Sequence, residues 1–165
     1  MRNWYRWAFL MLAGLSAAGC SRTHSGEAPA VQGQALATPI DANEMARNDL
    51  EQLQGAWRIE RLVWDGVSDP NAGVGVTYLF EGDKFIMLDR DGNRREETIR
   101  LLPSQTPKAI DCWGEAGRAV PGIYSLELDT LTWCAAGGSD KQRPTAFESM
   151  PGSRQSLMVF RRERG

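Results

Sequence analysis

The chain has 165 residues, a net charge of -2 and 42% hydrophobic residues, a balance typical of one globular domain. Acidic and basic residues are mixed along the chain without a basic stripe, which argues against a nucleic-acid partner. The only histidine is His24, so most zinc sites and most serine–histidine triads are excluded.

The first nineteen residues have the pattern of a lipoprotein signal peptide. Arg2 and Arg6 precede an apolar run, Ala8–Ala18, that is too short to span a bilayer. Small residues then lead directly to Cys20. This motif resembles a bacterial lipobox, in which the cysteine thiol is acylated before cleavage. We therefore expect residues 1–19 to be removed and Cys20 to carry lipid. The alternative is a plain secretory signal that is cut nearby.

The sequence after Cys20 indicates in which membrane the lipoprotein lies and how the domain is connected to it. Ser21 is not the aspartate that retains similar lipoproteins in the inner membrane, which favours the periplasmic face of the outer membrane. Because stable attachment needs at least two acyl chains, the lipid would make the membrane a permanent partner. Residues 20–41 are rich in small and polar residues, and we expect a flexible tether.

A change of pattern at Asp41 predicts a short helix before the folded domain, which we place at residues 42–165. Met45, Leu50 and Leu53 are apolar among polar neighbours, at a helical spacing. Asp41 or Asn43 would cap the helix, and a glycine at position 55 would end it.

Beyond the helix, hydrophobic residues alternate and turn residues recur about every ten positions, as in an all-β sandwich or barrel. Most connections are short enough for antiparallel neighbours, and closure of the sheet would remove its edges. We expect strands at residues 57–64, 74–80, 84–88, 95–102, 109–113, 122–126, 131–135 and 156–162, with an edge segment at 143–148.

Several motifs resemble one family along nearly the whole domain. Gly55-Ala56-Trp57 after a short helix, with an arginine ending the last strand, is similar to the lipocalin arrangement. The further motifs are Thr106-Pro107-Lys108-Ala109-Ile110-Asp111, Pro121-Gly122-Ile123-Tyr124, Leu131-Thr132-Trp133-Cys134, Arg143-Pro144-Thr145-Ala146-Phe147 and Val159-Phe160-Arg161. Together they resemble a bacterial family of uncharacterised lipocalin-like domains. The resemblance implies an antiparallel barrel of eight to nine strands and supplies no activity, cofactor or catalytic residue.

The same resemblance implies how one barrel end is closed. Trp57, beside Gly55, would pack under the guanidinium of Arg161 or Arg162, of which only one can face it because neighbours in a strand alternate. An eight-stranded barrel is either filled by side chains or holds one small ligand. The aromatic residues that could line such a cup are Trp64, Tyr78, Trp113, Tyr124 and Trp133.

The bonding partners of two cysteines and one aspartate in the predicted strands are not decided by the sequence. Cys112 and Cys134 could form a disulfide in an oxidising compartment. An intervening strand would separate them by about 9.5 Å, which is more than a disulfide normally spans. Asp111 would need a partner if buried, and Lys108 or Arg143 could supply it.

Three classes of function are therefore considered. The first is a module that binds a small apolar ligand, and the second is a structural lipoprotein with a filled barrel that docks an envelope partner. An enzyme is disfavoured, since paired acids such as Glu96 and Glu97 would lie on opposite faces of a strand. We expect a monomer without cofactor, metal or nucleic acid.

Replacing Cys20 with serine tests whether a lipid on this residue anchors the chain to the membrane. Because the acyl anchor needs the thiol, we expect the Cys20→Ser chain to leave the membrane fraction or to stay uncleaved. Cell fractionation with and without globomycin measures both outcomes. Membrane retention with globomycin-sensitive processing of that variant would contradict lipidation at this residue.

Overall fold

The computed structural model describes residues 41–114, 117–139 and 141–164. The predicted signal peptide, Cys20 and most of the predicted tether lie outside the described residues. Within the described ranges, one helix precedes nine strands. No helix in these ranges is long and apolar enough to cross a membrane. These elements are α1 (Ala42–Leu53), β1 (Gly55–Trp64), β2 (Val67–Asp69), β3 (Thr77–Glu81), β4 (Lys84–Leu88), β5 (Arg94–Leu102), β6 (Ala109–Trp113), β7 (Ala119–Glu127), β8 (Thr130–Ala135) and β9 (Ser156–Arg162).

The sheet closes on itself as an antiparallel barrel. Strands β3 to β9 pair in chain order, and β1 pairs with both β3 and β9, which gives a closed ring of eight strands. The ninth strand, β2, forms a short hairpin with β1 across a two-residue turn. The expected all-β barrel with one short helix in front is therefore confirmed, and it is compatible with a lipocalin-like domain.

The structure differs from the predicted strands in several places, including the unpredicted strand β2 and the earlier start of β7 at Ala119. No strand forms at 143–148, because this stretch belongs to the long connection between β8 and β9, where Pro144 removes a ladder donor. The strand expected from position 74 begins only at Thr77, since Gly73 and Gly75 adopt positive φ angles of 72° and 75° in the preceding turn. By contrast, the bounds of β4, β6 and β9 are the predicted ones.

The interior is packed with aromatic rings, and α1 covers one end of it. Asp41 caps the helix by accepting a hydrogen bond from the Asn43 N–H, as the polar start of the segment predicts. Leu53, Leu50 and Ala46 of the helix pack on the interior core. The rings of that core are Trp57, Tyr78, Phe80, Phe85, Tyr124, Trp133 and Phe160.

A second, smaller core lies on the outer face of the barrel, beneath the β8–β9 connection. Its members are Val63, Ile123, Cys134 and Leu157. The Cys134 thiol donates to the main-chain oxygen of Glu148 in that connection, at 3.2 Å. The connection is thereby held against the outside of the sheet.

Cys112 and Cys134 are both buried and both free thiols. They lie on β6 and β8, with β7 between them, and they belong to different cores, Cys112 inside the barrel and Cys134 outside it. The disulfide that the sequence left open is therefore absent, because the sheet itself separates the two sulfur atoms.

Burial should protect both thiols from alkylation in the folded chain. In the Cys20→Ser chain we expect no iodoacetamide adduct under native conditions and two adducts in denaturant without reductant. Since labelling requires opening of the fold, the native rate should be at least about 100-fold slower. Mass spectrometry counts the adducts, and two labels that appear only after reduction would indicate a disulfide.

Candidate functional site

The closed end of the barrel is organised around Trp57 and Arg162. The Trp57 indole is buried and donates to the Leu53 oxygen at 2.7 Å, while the Arg162 guanidinium lies 4.2 Å from the centre of the indole ring. Arg162 also donates to the oxygens of Gln54, at 2.6 Å, and Gln52. Carbonyl groups at a helix C-terminus lack partners within the helix. One guanidinium therefore joins the last strand, the first strand and the end of α1.

The neighbouring arginine has a different place. Arg161 lies on the outer face, where its guanidinium is 3.5 Å from Glu60. Gly55 adopts a φ of 105°, a conformation that side chains disfavour, and an added Cβ would lie 3.7 Å from Arg162. The structure thus brings Gly55, Trp57 and Arg162 together and leaves Arg161 outside the closure.

A buried ion pair holds the middle of α1. The Asp49 carboxylate accepts hydrogen bonds from Lys108 at 2.7 Å and from the Tyr124 hydroxyl at 2.5 Å. Burial, followed by the hydrogen bond to Asp49, raises the pKa of Tyr124. Asp49 lies four residues from both Met45 and Leu53, on the apolar face of the helix. A charged residue at such a position was the feature of the sequence that could have indicated the ion pair with Lys108.

Asp111 and Trp113 lie on the outer face of β6. Asp111 accepts from Arg143 at 2.7 Å and from Arg100 at 3.3 Å, so Arg143 is its partner, whereas Lys108 binds elsewhere. The Arg100 guanidinium also lies 5.6 Å from the Trp113 ring. Because Cys112 faces inward, its neighbour Trp113 must face outward, and the expectation that Trp113 lines the cup does not fit this placement.

The other cup candidates face the interior at different depths. Tyr78, Tyr124 and Trp133 are buried, and Trp64 lies at the rim with 50% of its surface exposed. Phe85 contacts the rings of Tyr78 and Trp133 at centroid distances of 5.8 and 5.2 Å. The half of the barrel next to α1, which we call the closed half, is thus filled by packed rings.

The opposite half, which we call the open half, is less completely covered. Met87, Val120 and Met158 face inward and pack on the interior core, yet each is only partly buried. These three side chains therefore line the part of the interior that lies away from α1. The residues that pair in a row across β7, β8, β9 and β1 here are Gly122, Ala135, Ser156 and Trp64.

Polar groups also face the open half. The Cys112 thiol donates to Glu97 at 2.9 Å, and the other oxygen of Glu97 accepts from Arg95 at 2.7 Å. Burial, and secondly the bond to Glu97, raises the pKa of the Cys112 thiol, which therefore stays protonated and is a poor nucleophile. The indole N–H of Trp133 is buried without a hydrogen-bond acceptor among the described residues.

Two surface depressions are present among the described residues. One, of about 590 Å³, is lined by the turn before β3 and the turn between β4 and β5. The other, of about 690 Å³, lies between the first half of α1 and the end of β5. Across the described ranges, no group of three or more His, Cys, Asp or Glu residues is placed to hold a metal ion.

The fold is a closed eight-stranded antiparallel barrel, with one short helix packed on the core at one end. Comparisons with protein-family models, curated proteins and solved structures found no match for this chain. The resemblance to lipocalin-like domains therefore stays a prediction from the motifs.

Substitutions at the closed end should separate the two arginines. We expect Trp57→Ala to lower the free energy of unfolding by about 3–5 kcal/mol, the range for a large buried aromatic. Arg162→Ala should cost about 1–3 kcal/mol, because it removes the guanidinium that stacks on the buried Trp57 ring and leaves two helix-end carbonyls without this donor. Arg161→Ala is the matched control and should change stability by less than about 0.5 kcal/mol. Urea denaturation measures all three, and equal effects of the two arginines would contradict the assignment.

Proposed function

We propose that the chain is a lipid-anchored lipoprotein of the cell envelope, at the periplasmic face of the outer membrane, whose lipocalin-like barrel binds a small apolar ligand. The anchor is supported by the signal pattern that ends at Cys20. The binding role is supported by one observation above the others. Inward-facing Met87, Val120 and Met158 are only partly buried in the open half, whereas aromatic rings pack against one another in the closed half.

The packing limits the size of such a ligand. Rings occupy the closed half, so only the space above Tyr78 and Trp133 is available. Trp64 at the rim offers an apolar face beside this space. A small molecule that buries its apolar part against these side chains fits the site better than a long acyl chain.

A structural lipoprotein that docks an envelope partner is the second candidate. The filled closed half favours it, as do Trp64 and Val67, which are cross-strand neighbours and are exposed over 50% and 71% of their surfaces. We propose no catalytic role, because Asp49 is committed to Lys108 and Tyr124 and the Cys112 thiol is protonated.

Native mass spectrometry of the full chain, extracted from its own membrane, distinguishes the two candidates. We expect the acylated mass together with a second, noncovalent mass from one small molecule. Collisional activation should remove this molecule before the barrel unfolds. An acylated chain that never carries a second mass would favour the partner-docking role.

A matched pair of variants locates any bound molecule. Val120→Trp adds a ring to the open half and should abolish the noncovalent mass. Leu128→Trp places the same ring in the exposed turn between β7 and β8, so the adduct should be retained. Retention of the adduct in both variants would place the ligand outside the barrel.

A further inference from the structure

The indole N–H of Trp133 is an unmet hydrogen-bond donor inside the barrel. The residue is 3% exposed, and no acceptor lies within reach among the described residues. Buried donors are nearly always hydrogen-bonded to protein, water or ligand. A buried donor without an acceptor loses its hydrogen bond to water and gains none in exchange. The other buried indole, Trp57, has its acceptor in Leu53. Trp133 is therefore the donor that needs a partner.

The Trp133 N–H lies against the inner wall of the barrel, next to Gly122. A Cβ added to Gly122 would lie 2.7 Å from the Trp133 Nε1, so the nitrogen lies directly over the glycine. Gly122 pairs with Ala135, which pairs with Ser156, and the row ends at Trp64 on the rim. Three small residues thus leave the inner wall beside the donor without bulky side chains.

The charges that face the same interior restrict the kind of acceptor. Glu97 points inward with 16% of its side chain exposed, and it accepts from the Cys112 thiol. Cys112 lies two residues along β6 from Ile110, the cross-strand partner of Gly122. A second carboxylate placed there would be repelled by Glu97 in a medium of low dielectric constant. Arg95 already pairs with Glu97 and lies at the rim, 72% exposed.

We propose that the Trp133 indole donates to a neutral carbonyl oxygen, such as that of an amide, ester or ketone, carried by a small ligand. The apolar part of that ligand lies along the small residues Gly122 and Ala135. This inference rests on the proposed binding role and adds the chemical class of the ligand.

Three probes with the same four-carbon body and different head groups test the inference. Butanamide, butanoate and butylammonium are titrated into the full lipidated chain in micelles, with tryptophan indoles labelled with nitrogen-15. Butanamide should shift the Trp133 indole resonance saturably at millimolar concentrations, as fits so small a ligand. Butanoate should bind at least about tenfold more weakly, and butylammonium, which has no acceptor, should leave this resonance in place.

Two conservative variants isolate the donor. Trp133→Phe keeps an aromatic ring without the N–H and should weaken butanamide binding by about tenfold. Trp64→Phe removes an indole N–H at the rim and should change the affinity by less than about twofold. If Trp133→Phe unfolds, the indole resonance of the unsubstituted chain decides the question alone.

Methyl resonances of Met87 and Met158 separate failure of this inference from failure of the binding role. Shifts of these methyls by butanamide, with an unchanged Trp133 indole or with equal responses to all three head groups, would overturn the carbonyl assignment and leave binding intact. An indole that keeps a magnetisation-transfer signal from bound water at saturating butanamide would also overturn it. No shift at either methionine or at the indole would reject both proposals.

Discussion

The Arg162 guanidinium is the contact on which the closed end depends. It stacks on Trp57, donates to the last carbonyls of α1, and lies 3.6 Å from Asp129 in the turn between β7 and β8. Helix, first strand and last strand would otherwise meet with unpaired carbonyl groups at a buried junction. A single planar group with several donors satisfies them together, which a lysine ammonium could not do with the same geometry.

Sealing one end determines what the rest of the barrel can do. The large rings lie nearest the helix, where Trp57 and Phe80 meet at a centroid distance of 6.3 Å. Toward the other end the inward residues become small, as at Gly122 and Ala135, or polar, as at Glu97. The inward residues therefore change in size and polarity along the barrel axis.

Local patterns predicted the fold well where neighbours in sequence are neighbours in space. The turn Asp91-Gly92-Asn93 after the mostly apolar run 84–88 was sufficient for the β4–β5 hairpin. The hairpin to β2 was missed, although Asp65-Gly66 is a strong two-residue turn signal, because Val67–Asp69 is short and exposed. The outward direction of Trp113 also follows from alternation once Cys112 is known to face inward.

The candidate site was predicted less completely, because it depends on long-range registers. The sequence could not choose between Arg161 and Arg162, and the bulge between Ile59 and Arg61 shifts the β1–β9 register on which that choice depends. Arg143 was predicted as a possible partner of Asp111, but its further bonds to the main-chain oxygens of Ile110 and Gly122 were not. Such contacts carry no local periodicity.

The pairing of β1 with β9 links completion of the fold to completion of synthesis. Gly55–Trp64 and Ser156–Arg162 lie about a hundred residues apart, so the ring cannot close until the last strand has been made. Until then β1 and β8 each have an unpaired edge, and the loop that must close is nearly the whole domain. Such non-local closure makes folding slow relative to helical domains of similar size. A partly synthesised chain that lacks β9 therefore cannot form the closed barrel.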